Sequence, residues 1–549
     1  MKRFINHRDR IVPEAIDGLL CSSAGAGLAH LDAGPGARVV LRDDADRGRV
    51  AIVSGGGSGH EPAHAGFVGP GMLSAAVCGE VFASPPVDAV LSAIMAVTGE
   101  PGCLVVIKNY TGDRLNFGLA AEQARAAGLR VETVVVGDDI ALLDGDADRG
   151  KARGIAGTLF VHRIAGHLAE QGRPLEEVAA VARTVANEVM SIGLSLSPCD
   201  PYTGRTESRL SADQVELGLG IHGEPGAEIG ALADADTLMA RAADRLDAVL
   251  GAETRPLALL LNNLGTVPPL EMSLLVSALR RTALARRVEL LVGPAPLMTA
   301  LDMNGFSLSV LPLTEERRAA LLAAPPTPAW PRARALAEPR TLSAPALPDA
   351  LAATGSDDPA MRALVERAAA VLVAQEDAIN DLDAKVGDGD AGTTFAQIGR
   401  TLRDTLPRLP LADPAALLRS LGGLLAARSG GSSGVLLSIL FAAAGAEAAN
   451  GKPVPAALRG GLDRMMALGG ARPGDRTMVD ALVPALDALV AGHALPAVAT
   501  AARAGADATR SMNRARAGRA AYVPEASLRD VPDPGAEAIA RLLETLARG

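Results

Sequence analysis

The sequence predicts two domains of different class. An N-terminal two-lobed α/β domain covers residues 1–325, and a C-terminal all-α domain covers 356–549. A Pro-rich linker over 326–355 joins them. Three observations carry this reading. Short β-branched runs alternate with helical stretches in the first part, which is the signature of strand–helix–strand units. Periodicity then disappears from Pro325 to Pro348, where prolines crowd around Trp330. After Asp358 only helical periodicity remains.

The elements follow in order. Arg49–Ser54, Gly102–Ile107 and Val131–Val136 read as buried strands. Pro86–Val97 and Asn116–Ala127 read as the helices between them, and such repeats imply a mostly parallel sheet. Leu257–Asn263 and Val288–Val292 read as strands of a second α/β lobe. Trp330, the sole tryptophan, is placed to pin the linker to a domain surface. Beyond it, helices are expected over Met361–Asp383, Thr394–Thr405, Pro414–Ala427, Ser433–Asn450, Pro455–Leu468, Val479–Ala491, Leu495–Met512 and Asp533–Ala547.

Composition narrows the function. A chain of 549 residues that is 48% hydrophobic can bury large cores. Its 2% aromatic content argues against base stacking, and its net charge of −10 argues against a nucleic-acid backbone as partner. An acidic protein still binds a nucleotide if Mg²⁺ and backbone amides carry the phosphates. Cys21, Cys78, Cys103 and Cys199 have no ligand spacing and read as free thiols in a reducing compartment. The start lacks an apolar signal region, and no apolar run reaches membrane-spanning length without a charge or a Gly/Pro break. A cytoplasmic protein with no membrane or nucleic-acid partner is expected.

The chemistry concentrates in Leu382–Thr394. Asp383, Asp388 and Asp390 lie within one short glycine-rich stretch. Carboxylates converging on one point repel unless a hard cation neutralises them, and Mg²⁺ shared with substrate phosphates fits that need. Taken alone, the stretch reads equally as a solvated acidic turn. It is not an EF-hand loop, because no Glu stands at the closing position.

Gly55-Gly56-Gly57-Ser58-Gly59-His60-Glu61-Pro62 follows the first strand, so backbone amides can approach a ligand there; a tight turn is the alternative. It is not a Walker A loop. Lys108–Asp113 follows the next strand, and Gly220–Gly226 holds His222 between glycines. These loops are expected to bring His60, Asp113 and His222 to one edge as a base, acid and nucleophile set. In the helical domain, Arg428–Gly434, Gly469–Met478, Gly518–Tyr522 and Asp533-Pro534-Gly535 are turns that can land at one end with the acidic loop and surround a nucleotide.

These motifs, in this order and over nearly the full length, resemble the single-chain ATP-dependent dihydroxyacetone (glycerone) kinases. The carrying residues are Gly55–Pro62, Lys108–Asp113, Gly220–Gly226, Val386–Asp390, Gly430–Gly434, Gly474–Met478 and Asp533–Ala536. The resemblance implies a ketose-binding K domain fused to an L domain, a closed eight-helix barrel that holds ATP. It implies that His222 adds to the substrate C2 carbonyl as a hemiaminal, that Asp113 accepts the proton of the attacking hydroxyl, and that His60 assists. Gly57, Ser58, Gly59, Lys108 and Asp113 would contact the substrate. Asp383, Asp388 and Asp390 would hold two Mg²⁺ ions. Gly392, Thr393, Thr394, Ser432, Ser433, Gly469, Met478, Arg519, Asp533 and Gly535 would contact ATP.

The base and the nucleotide stand on different domains, so the linker must let them meet within a chain or across a dimer. The resemblance favours a homodimer with exchanged L domains. Ala391, Ala521 and Thr266 depart from residues common in relatives, and none removes a catalytic group. Alternatives are an erythrulose-type kinase, a flavin-cyclising activity, a subunit served by a phosphocarrier, and a ketose-sensing regulator. The intact carboxylates speak against the last.

Overall fold

The computed structural model describes residues 3–34, 36–44, 46–143, 150–200, 209–324, 327–346, 349, 351, 353–428 and 431–548. Pro325, Pro326 and Pro348 of the expected linker, and Ser429 and Gly430 of the expected phosphate turn, lie outside the described residues. The chain divides into two compact units, Met1–Arg340 and Thr341–Gly549.

The first unit carries two sheets. The strands of the first are β1 (Leu28–His30), β2 (Val39–Arg42), β3 (Ala51–Ser58), β4 (Ala75–Val81), β5 (Cys103–Lys108) and β6 (Val131–Val136), in the order β1-β2-β4-β3-β5-β6. The inner pairs β4–β3, β3–β5 and β5–β6 are parallel. Val87–Val97 and Thr111–Ala126 are helices, and both pack against this sheet.

Two boundaries differ from expectation, and both bear on the site. β3 does not stop at Ser54; it runs through the glycines to Ser58 and is buried throughout. A Cβ on Gly55 would lie 2.2 Å from the Val77 carbonyl oxygen of β4, so the missing side chain lets the strand continue in close pairing. The second helix starts at Thr111 rather than Asn116, which places Asp113 in its first turn. A carboxylate is favoured there by the positive end of the helix dipole.

The second sheet comprises β7 (Met190–Ser195), β8 (Gln214–Leu217), β9 (Glu228–Ala231), β10 (Leu257–Asn263), β11 (Val288–Ala295), β12 (Gly305–Pro312) and β13 (Arg334–Ala335). Its order is β13-β11-β10-β12-β7-β8-β9. The two strands expected from the sequence, β10 and β11, pair in parallel, while the other described pairs of this sheet are antiparallel. The connection 296–304 carries no helix, and a parallel return needs a longer crossover.

Part of the Pro-rich stretch belongs to this unit. Trp330 is 2% exposed, packs edge-on against Phe67, and joins the core between the sheets. β13 then adds an edge strand to β11.

All eight expected helical runs of the second unit are present. The first is broken at Gln375 into Pro359–Ala374 and Glu376–Asp383. The others are Ala391–Thr405, Pro414–Arg428, Gly431–Ala449, Val454–Gly469, Val479–Val490, Leu495–Ala508 and Pro534–Ala547, with a one-turn helix at Glu525–Leu528. Pro359–Ala374 packs on Ala391–Thr405, contacts pass onward in chain order, and Pro534–Ala547 returns to Pro359–Ala374. The result is a closed helical barrel. Gly431–Ala449 is long and apolar enough to cross a membrane by length and composition, and it carries the kind of break the sequence reading named, Gly445 and Glu447. Its small residues serve helix packing: a Cβ on Gly445 would lie 2.6 Å from the backbone of Arg419 in the preceding helix.

Candidate active site

In the first unit the site forms where the end of β3 meets the second sheet. His60 follows β3 and is fully buried. Its Nδ1 lies 2.7 Å from the Thr299 carbonyl, which only accepts, so Nδ1 carries the hydrogen and Nε2 the lone pair. Its ring stacks on Phe82 at 5.1 Å. Burial holds its pKa well below the ordinary histidine value, with the Lys108 charge adding to the effect.

His222 comes from the β8–β9 hairpin loop of the second sheet, not from the edge of the first. The two lobes nevertheless bring it within 3.1 Å of His60, Nε2 to Nε2. Phe82 and Tyr110 enclose it edge-on, with ring centroids at 5.2 and 4.6 Å. Glu224 reaches back to the same residue: Oε1 lies 3.1 Å from Nδ1, and Oε2 accepts from the His222 backbone N–H at 3.0 Å. Burial would push the Glu224 carboxyl up, but the hydrogen bond and charge of His222 outweigh it and hold it at about 2. Gly220 is required beside this clamp, since a Cβ there would lie 2.0 Å from Glu224 Oε2.

The remaining expected residues lie alongside. Lys108 ends β5, is fully buried, and its Nζ has no hydrogen-bond partner. Burial lowers its pKa, while Asp113 and Glu224 pull the other way. Asp113 is 3% exposed and accepts from the Ser84 hydroxyl. Both close on Gly56, where an added Cβ would lie 3.1 Å from Lys108 Nζ and 3.3 Å from Asp113 Oδ2. Ser58 is committed to the Gly79 carbonyl at 2.8 Å. Gly57 and Gly59 press against Phe82, whose backbone and ring respectively leave no room for a Cβ. Sequence reasoning missed Glu224, Phe82, Tyr110 and Gly56 as site residues. Glu224 and Tyr110 stood inside the quoted motifs, but spacing alone did not show which way they face.

In the second unit, Asp383, Asp388 and Asp390 each offer an oxygen, and these lie within 4.8 Å of one another. Asp383 is fixed by backbone donors of its own loop. Its Oδ2 accepts from the backbone N–H groups of Gly389, Asp390 and Ala391 at 3.0, 3.0 and 3.2 Å. Val386 anchors the loop by packing with Ala515 and Leu528. An oxygen-rich acidic cluster on a braced loop fits a hard divalent cation.

The three carboxylates open onto a cavity of about 680 Å³. Thr394, Ser432, Ser433, Gly469, Met478, Asp533 and Gly535 line it, so the interhelical turns do meet at one end of the barrel. Gly392 and Thr393 are not among the lining residues. A Cβ on Gly392 would lie 2.0 Å from the Glu376 carbonyl, so it serves helix packing, and Thr393 pairs with Asn380. The side chain of Arg519 lies outside the described residues. Val435, Leu436, Ile439, Met465, Met466 and Leu468 form an apolar wall suited to a flat ring. Asp533 caps the last helix through Ala536 N–H at 2.8 Å, and burial pushes its carboxyl up to about 7.

Two different sites, one a histidine pair enclosed by aromatic rings and one an acidic cluster opening onto a cavity with an apolar wall, define a bipartite architecture of the kind a kinase needs. The comparisons agree with it. Residues 24–329 match the Dak1 domain and residues 385–548 match the DAK2 domain. The chain belongs to the single-chain dihydroxyacetone kinase family. It is 46% identical to the dihydroxyacetone kinase of Citrobacter freundii, covering 99% of this chain and 98% of the relative. It is 41% identical to human triokinase/FMN cyclase, covering 99% and 98%. The crystal structure of the C. freundii kinase in complex with AMP-PNP and Mg²⁺ aligns with a TM-score of 0.73 at 44% identity, over 100% of this chain and 99% of that one.

Proposed function

We propose that this protein is an ATP-dependent kinase that phosphorylates dihydroxyacetone, holding the ketose covalently on His222. The observation that carries this reading is the clamped imidazole, with Glu224 on Nδ1 and His60 on Nε2. Both neighbours are acceptors. Transfer of the Nε2 proton to His60 leaves a lone pair on Nε2, while Glu224 keeps the Nδ1 hydrogen and fixes the ring. The lone pair forms a bond to C2 of the ketose, the carbonyl electrons pass to oxygen, and that oxygen takes the proton back from His60. Glycerol has no carbonyl to attack and is excluded.

Asp113 then accepts the proton of the terminal hydroxyl as its oxygen attacks the γ-phosphorus of ATP and ADP leaves. Lys108 balances the charge of Asp113. Asp383, Asp388 and Asp390 would hold Mg²⁺, as two ions in this reading, and bound Mg²⁺ neutralises the polyphosphate. Thr394, Ser432 and Ser433 orient the phosphates, and the apolar wall takes the base. A homodimer with exchanged second units, on the strength of the resemblance, and a cytoplasmic location, on the strength of the four free cysteines, complete the proposal. Light scattering of the purified protein checks the first.

An ADP-release assay with Mg-ATP tests the substrate, run over dihydroxyacetone, both erythrulose enantiomers, glyceraldehyde and glycerol. Turnover with dihydroxyacetone and none with glycerol is expected. Preference for erythrulose would move the substrate within the ketose class, and turnover with glycerol would contradict the carbonyl requirement. The name of the human relative supports a second reading, cyclisation of a flavin nucleotide, checked by incubating the enzyme with FAD and following cyclic product.

A further inference from the structure

The nucleotide cavity holds a cation that the reading above does not use. Arg476 is the one positively charged residue among the described residues that line it, in company with Asp383, Asp388, Asp390 and Asp533. Its side chain is fully buried. Nη2 donates to the Val531 carbonyl at 2.8 Å and lies 3.5 Å from that of Leu528. Nε and Nη1 have no partner. A buried guanidinium with unmet donors is costly, because each lost hydrogen bond to water must be replaced. Propping two carbonyls needs one neutral donor and does not account for a full planar charge.

The local backbone holds this group in place. Arg476 has φ +61°, a left-handed conformation that a side chain other than glycine rarely adopts. Asp480 clamps the turn from both sides, accepting from Gly474 N–H at 2.5 Å and Thr477 N–H at 2.8 Å. The donors are therefore fixed before any ligand arrives.

We infer that Arg476 is a binding residue for the nucleotide's polyphosphate, donating its free N–H groups to phosphate oxygens. A guanidinium matches phosphate geometry through paired donors and keeps its charge when buried. It would supply fixed positive charge beside the metal ions. This inference rests on the reading of the cavity as the nucleotide site, and it adds a residue to that site.

Calorimetric titration of the full-length protein with Mg-ATP and Mg-ADP tests it, together with ligand-observed NMR of adenosine. The variants are Arg476→Met, which keeps length without charge, and Arg476→Lys, which keeps charge without the fork. Arg476→Met should lose about 10- to 100-fold in affinity for ATP and ADP while adenosine binding is unchanged. Arg476→Lys should lose less, again only for the phosphorylated ligands, and it carries the comparison alone if the Met variant does not fold. Equal losses for adenosine and ATP, or unchanged ATP affinity, would overturn the assignment. Failure of the wild type to bind Mg-ATP would overturn the nucleotide reading and this inference with it.

Discussion

At the scale of single residues, the site depends on which atoms are already committed. Glu224 and Thr299 fix the ring nitrogens of His222 and His60, so the facing pair of Nε2 atoms is set by neighbours rather than by the histidines themselves. Asp113→Asn keeps the Ser84 contact but removes the proton acceptor; kcat with dihydroxyacetone should fall by about 10²- to 10⁴-fold with little change in the KM for ATP. Steady-state kinetics in both substrates check this. His222→Ala should lower kcat/KM for dihydroxyacetone and narrow the gap between ketone and glycerol, and undiminished discrimination in that variant would remove the covalent role. His222 and the three aspartates were legible in the sequence because glycines isolate them. Glu224 and Arg476 were not. Charged residues in turns ordinarily face water, and only the fold shows that Arg476 is buried and that Glu224 turns back on His222.

At the scale of elements, strand and helix identity followed from hydrophobic pattern, while several boundaries were moved by packing. β3 runs through its glycines because their missing Cβ atoms allow close strand pairing, which composition reads as a loop signal. The antiparallel character of the second sheet was not legible, since single strands carry no record of their partners' direction. Trp330 belongs to the core between the sheets, so Trp330→Ala should cost about 3–5 kcal/mol in the first unit, read as a lower denaturation midpoint. Asp533, at the start of the last helix, has its carboxyl raised from 3.8 to about 7. The folded state thus holds its proton more tightly than the unfolded chain. Its stabilising contribution is full at acid pH and is lost as pH rises through about 7. Between about pH 5 and about pH 8, the ligand-free wild type should lose stability relative to Asp533→Asn, which keeps the cap acceptor. Parallel urea curves for the two proteins at both pH values would contradict this.

At the scale of the whole molecule, two compact units divide the chemistry. One holds the paired histidines and the buried Asp113, proposed as the carbonyl-capturing groups and the proton acceptor, and the other holds the carboxylates and the cavity proposed for the nucleotide. Asp388→Ala should therefore abolish ATP turnover while leaving dihydroxyacetone binding intact, as read by titration with the ketose alone. Loss of both would mean that the units do not act separately. The central claim is covalent capture of the ketone, and carbon NMR of dihydroxyacetone labelled at C2 tests it most directly. Bound to the wild type, the labelled carbon should leave the ketone region and appear as a tetrahedral carbon, and with His222→Ala it should not. A bound ligand that keeps its ketone resonance on the wild-type protein would contradict the account.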